Sequence, residues 1–216
     1  MRARRTQVER SEETRNRILS AAIQVMIRRG YAGFRIGEVV DIAGLSRGAQ
    51  LHHFGTKDVL IAAALTQVFA LAREETNKKV AEFRSAGTLE IEDLISAIAE
   101  DAEAFFFNWN FLFALDMSMA AGKDLKIAKT ARDIINREGT PTEDVWVSLL
   151  EEAGLEIDDA RDVLSLLRSV IRGLAIRGLV RDYPARKDRV IELARRFTVE
   201  HSKQLLANRA PARVRP

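Results

Sequence analysis

The chain has 216 residues, 47% of them hydrophobic and 30% charged, with 4 Pro, 12 Gly and 6% aromatics. This content supports one or two domains with a real core, excludes a disordered chain, and favours an all-α fold over a turn-rich β sandwich. The lack of cysteine excludes disulfide scaffolds, thiolate zinc sites and cysteine nucleophiles, and three histidines supply metal chemistry poorly, so no metal or cofactor is expected.

The net charge of +3 hides an asymmetry. Residues 1–57 carry 11 Lys and Arg against 5 Asp and Glu, whereas residues 58–216 carry 23 against 26. A basic head on a differently employed body is the pattern of a nucleic-acid-binding protein. No apolar leader follows Met1-Arg2-Ala3-Arg4-Arg5, so a soluble cytoplasmic chain with no membrane association is expected.

The first predicted helix follows Ser11-Glu12-Glu13-Thr14, with Ile18, Ala22, Val25, Met26 and Arg29 on one stripe and Gly30 as its stop. Residues 1–10 are expected to be a flexible basic arm, with Arg2, Arg4 and Arg5 either solvated or reaching a minor groove. A short helix over 36–43 buries Ile36, Val39, Val40 and Ala43. Gly44-Leu45-Ser46 then turns the chain and caps a third helix over 47–54. Two helices joined by a three-residue glycine turn form a helix-turn-helix pattern, which places a domain boundary at residue 57.

A long helix runs from 57 toward 83, and Ser85-Ala86-Gly87-Thr88 ends it and caps the next. Residues 89–121 are strongly apolar, with Phe105-Phe106-Phe107, Trp109, Phe111 and Phe113 inside nine positions. Helix continues to about 137, Gly139-Thr140-Pro141 breaks or kinks the chain, and another helix reaches 150. Two strong helices over 158–181 and 185–206 complete a second domain of residues 58–206, with a basic tail over 207–216.

Catalysis has little material here. There is no Gly-rich phosphate loop, H-E-x-x-H or G-x-S-x-G, and His52 and His53 point about 100° apart on a helix, so they cannot chelate one metal. No catalytic residue is assigned. A recognition helix places its N-terminal side chains at base edges, so Arg47 and Gln50 suit guanine and adenine, and Ala49 suits a thymine methyl, behind the cap Ser46. Which of Gln50 and Leu51 faces the bases is open. Lys57 suits a phosphate contact, and Arg35 is either a phosphate ligand or an ordinary exposed arginine.

Residues 14–60 resemble the DNA-binding domain of the tetracycline-repressor (TetR) family without gaps. The landmarks are Arg17-Ile18-Leu19, Gly30-Tyr31, Ala43-Gly44-Leu45-Ser46, Gly48, His52-His53-Phe54 and Lys57-Asp58-Val59-Leu60. The resemblance implies a homodimeric regulator, most often a repressor, that binds a double-stranded palindromic operator. It places His52 and His53 close to DNA and puts a small-molecule cavity in the second domain. Departures from the family pattern are Gln50-Leu51, where an apolar residue followed by Tyr is usual, and Phe34-Arg35, where hydroxyl residues are usual.

On that analogy Phe69, Phe106, Trp109, Phe113, Met117 and Trp146 are candidate walls for a small hydrophobic effector; on periodicity alone they read as core. Asp116 interrupts the apolar run, so it either faces a ligand or pairs with Arg168 or Arg172. Surplus apolar residues on the last two helices want a partner, and the family resemblance implies that Leu164, Leu167, Ile171, Leu174, Ile191, Ala194 and Phe197 lie at the interface of a four-helix dimer bundle. Two rivals stand beside this reading: a ligand-free regulator whose second domain only dimerises, and an all-α enzyme or carrier with a vestigial head.

Overall fold

The computed structural model describes residues 6–87, 89–122, 125–180 and 184–209, and every regular element among them is helical. The helices are α1 (Gln7–Gly33), α2 (Ile36–Ala43), α3 (Arg47–Phe54), α4 (Lys57–Ala86), α5 (Ile91–Phe106), α6 (Trp109–Ala121), α7 (Leu125–Ile134), α8 (Thr140–Glu152), α9 (Ile157–Gly178) and α10 (Pro184–Arg209). No single helix among the described residues is long and apolar enough to cross a membrane. The arginines of the expected arm, the connection at 182–183 and the end of the expected tail lie outside the described residues.

Two compact units divide the chain. Among the described residues, the first takes those up to Leu71 together with those of 109–139; the second takes those of 72–108 and those from Thr140 to Arg209. The expected boundary at residue 57 is therefore displaced into α4. The head also recruits α6 and α7, because Phe113, Ala114, Met117 and Ile134 complete a core begun by Ile18, Val25, Met26, Phe34, Leu60 and Leu65. Local periodicity does not report such long-range packing.

In the first unit α1 starts earlier than its apolar stripe suggests. Thr6 accepts a hydrogen bond from the Glu9 N–H, and the Glu9 carboxylate accepts one from the Thr6 N–H. This reciprocal capping box draws residues 7–10 into the helix, so they are not a loose arm. Arg29, at the end of the expected stripe, is exposed and pairs with Glu38 at 3.3 Å. Gly30 interrupts α1 at φ 63° and ψ 179°, a backbone conformation essentially restricted to glycine, and a further helical turn follows to Gly33. At the end of α2, Gly44 adopts the left-handed conformation while the N–H groups of Gly44 and Leu45 donate to the carbonyls of Asp41 and Val40.

The second unit packs α5, α8, α9 and α10 around Leu94, Ile95, Ile98, Trp146, Leu149, Leu150, Leu164, Leu167 and Ile171. Around Gly139-Thr140-Pro141, where a break or kink was expected, a π-helical turn over Ile135–Gly139 runs directly into α8. Pro141 is the second residue of α8, directly after that turn. At its far end α10 continues to Arg209, so residues 207–209 are helical where a tail was expected.

Candidate nucleic-acid interface

Eight residues make α3, too few for independent helical stability, so neighbouring elements must hold it. Ser46 accepts from the Ala49 N–H at 3.2 Å and satisfies one free donor at the N-terminus. Arg17 donates from Nη2 to the Ala43 carbonyl at 2.5 Å and steadies the turn that precedes α3. Its position on the exposed side of an amphipathic helix gave no sequence signal for that role.

The exposed surface of α3 comprises Arg47, Leu51 and His52, with Ala49 and His53 half-buried. Gln50 corrects the expectation drawn from its side-chain chemistry: it is 1% exposed, its Nε2 makes no hydrogen bond, and it packs inward, whereas Leu51 is 52% exposed. In this conformation Leu51 occupies the outward position and Gln50 cannot reach a base. The physical reason is helical phase, since Phe54 is the buried anchor of α3 and a residue one turn before it shares its face. His52 and His53 meet edge to face, with ring centroids 5.2 Å apart.

Lys57, expected on phosphate, instead turns its ammonium inward. Nζ donates to the Tyr31 carbonyl at 3.3 Å and lies 4.8 Å from the Tyr31 ring centroid and 5.6 Å from that of Phe34. Burial lowers its pKa from the ordinary lysine value, nearby Arg35 lowers it further, and Asp58 opposes both. Arg35 is exposed and donates from Nη1 to the carbonyls of Ala32 and Phe34, at 3.1 Å each. Lys57 and Arg35 thus stabilise the connection into α2.

The candidate effector walls separate into two sets. Phe113 and Met117 are buried in the core of the first unit, where Phe69 packs at its edge. Asp116, in the same unit, accepts a hydrogen bond from the Tyr31 N–H at 2.5 Å. Trp109, at 67% exposure, is not a wall. Phe106, Trp146, Arg168 and Arg172 belong to the second unit.

There the buried carboxylate is Asp101, which sequence reasoning missed. It accepts from Thr76 Oγ1 at 2.9 Å and from Trp146 Nε1 at 3.1 Å, and lies 3.7 Å from Arg168 Nη1. Arg168 also lies 3.4 Å from Glu143, and its guanidinium carbon is 5.2 Å from the Phe106 ring centroid, with that of Arg172 at 5.9 Å. Burial lowers the Arg168 pKa, an effect that Glu143 and Asp101 oppose. Arg168 Nη1 is buried without a hydrogen bond.

Most of the apolar residues expected at a dimer interface are internal. Leu164, Leu167, Ile171 and Ile191 are buried in the second unit, Leu174 and Ala194 are half-buried, and only Phe197 is well exposed, at 63%. The exposed large apolar residues of these two helices are Ile157, Leu166 and Ile176 on α9 and Leu193 and Phe197 on α10. A side chain added at Gly173 on α9 would meet nothing within 4 Å.

Residues 18–64 match the family of bacterial regulatory proteins described as the tetR family. Across 196 residues the chain is 37% identical to the HTH-type transcriptional regulator CymR of Pseudomonas putida, covering 89% of this chain and 94% of that protein. Its fold resembles a TetR transcription regulator from Haloarcula marismortui, with a TM-score of 0.65 and 18% identity over 90% of this chain and 99% of that one. It also resembles the regulator FadR of Bacillus subtilis in complex with stearoyl-CoA, with a TM-score of 0.59 and 17% identity over 83% and 96% of the two chains.

Proposed function

The chain belongs to the TetR family of bacterial transcriptional regulators, and we propose that it acts in the cytoplasm as a homodimeric repressor whose palindromic operator is released when a small, mainly hydrophobic molecule binds. Its family relatives are regulators and not enzymes, which removes the enzyme reading. The observation that carries operator binding is α3 itself. A serine-capped helix anchored by Gln50 and Phe54 offers Arg47, Leu51 and His52 outward in a basic head. Arg47 serves as the guanine reader, Leu51 and Ala49 meet thymine methyls, and His52 and His53 donate to phosphates. Replacing Arg47 by Ala is expected to cost about 1–3 kcal/mol on the operator and to relax preference at one base pair. Equal losses on operator and random duplex, measured by fluorescence anisotropy, would remove the reading role.

Dimerisation is supported by the apolar surface left on α9 and α10. Leu166 and Gly173 lie on one face of α9, and Leu193 and Phe197 lie four residues apart on α10, so a second copy would bury side chains that a monomer exposes. Phe197→Glu is therefore expected to give monomers in sedimentation velocity at micromolar concentration, with unchanged helicity. A wild-type monomer at that concentration would refute the bundle.

For the effector, the second unit offers the better support. Phe106, stacked with Arg168 and Arg172, supplies an apolar face, and Arg168 Nη1, which is paired with Asp101 at 3.7 Å but makes no hydrogen bond, suits an acceptor oxygen on an otherwise hydrophobic molecule. Asp116, already engaged by Tyr31, does not select for cationic ligands. The ligand-free regulator is the second reading, favoured by the packing of Phe113 and Met117 into core. A compound that quenches tryptophan fluorescence and weakens operator binding by the reciprocal factor supports the first reading; failure of every binder to shift operator affinity supports the second.

A further inference from the structure

At the end of α1, Gly30 takes a conformation that leaves the Tyr31 N–H outside the regular helical bonding pattern. The acceptor for that N–H comes from 85 residues away: Asp116 of α6 receives it at 2.5 Å. A Cβ at position 30 would stand 3.0 Å from the Asp116 Oδ2, tight enough that the carboxylate would have to give way, and it would be strained at φ 63°. The carbonyl of the same residue is held from another side by Lys57, the first residue of α4.

Tyr31 is thus gripped at its N–H by an anion and at its carbonyl by a cation. Both bonds are charge-assisted. Its neighbours are gripped as well: Phe34 N–H donates to the Tyr31 carbonyl, and Arg35 ties the carbonyls of Ala32 and Phe34. This short connection sets where α2 begins. Through the glycine turn at residue 44, α2 in turn sets the pose of α3.

We infer that Asp116 is a positioning residue for operator recognition: through Tyr31 it fixes the pose of α3, and it gives α6 a direct handle on the reading head. The role rests on the operator-binding reading above and adds to it a residue that touches no DNA. A residue of this kind separates two quantities that charge alone does not. Binding to random duplex depends on the cationic surface and is insensitive to small changes of α3 pose, whereas base reading requires side chains held in register.

The test uses the full-length protein and a duplex of about 30 base pairs, long enough for two half-sites, selected by the wild-type protein from a randomised pool. A scrambled duplex of equal length is the control. Asp116→Ala is expected to lower affinity for the selected duplex about tenfold, within the usual range of coupling between sites, while affinity for the scrambled duplex and its salt slope stay unchanged. Asp116→Asn keeps a neutral acceptor, and should lose about threefold and remain folded if the alanine variant does not. In both, the Tyr31 amide is expected to exchange with solvent faster.

Overturning results are distinct. A variant whose Tyr31 amide exchanges faster while the selected-to-scrambled affinity ratio stays at the wild-type value makes Asp116 merely structural. Unchanged Tyr31 exchange in both variants removes the bond itself. A wild-type protein that prefers no duplex overturns the operator reading, and the positioning role with it.

Discussion

Asp101→Ala is expected to destabilise the second unit by about 3–5 kcal/mol, the cost of leaving a buried charge uncompensated. Four groups face that carboxylate: Thr76 and Trp146 donate to it, Arg168 lies 3.7 Å from it, and Lys79 lies 3.9 Å from it. Trp146 is 0% exposed, so its indole N–H has no water to turn to. Arg168 would keep only Glu143, whose side chain is largely solvated. The Coulomb attraction of Asp101 and Arg168 need not be net stabilising, because both have lost solvent. The cost therefore arises from breaking the set, and replacing both charges tests this. Adding Arg168→Met to Asp101→Ala should recover much of the loss, and urea denaturation of the two single variants and the double variant measures the coupling. If Asp101→Ala costs the same with Arg168 and with Met at position 168, the two do not communicate.

What the sequence made legible was chemistry confined to a few neighbouring residues. Gly44-Leu45-Ser46 announced both the end of α2 and the start of α3, since a left-handed glycine and a serine cap act within one turn. Gln50 illustrates the limit. Its amide suggested base reading, but its phase relative to Phe54 turns it inward, and the apolar Leu51 takes the exposed place. Asp116 and Asp101 mark a second limit. Both interrupt apolar runs, and the expectation left Asp116 either facing a ligand or paired with Arg168 or Arg172; the structure gives Arg168 to Asp101 and the Tyr31 N–H to Asp116. Periodicity shows that a carboxylate falls on an apolar helix but not which distant group meets it. The domain boundary failed for the same reason: residues 1–57 hold the reading motif, whereas the core beneath them is completed by α6 and α7.

Phe113→Ala turns that shared core into a measurable quantity. Phe113 is among the largest fully buried side chains, and it sits in one cluster with Ile18, Phe34, Leu60 and Leu65 from the head. Removing its ring is expected to cost about 3–5 kcal/mol, from lost transfer energy plus a cavity that tightly packed neighbours cannot fill. Marginal stability makes such a loss a large share of the total. Because the cluster also holds α1 and α4, operator binding should weaken in step with the folded fraction as temperature rises, and urea should unfold the variant at lower concentration. A cavity wall would behave differently: truncation would enlarge a pocket, change effector affinity and leave stability nearly untouched. Unfolding curves that superimpose on wild type would therefore move Phe113 from core to pocket and return the head to a self-contained domain.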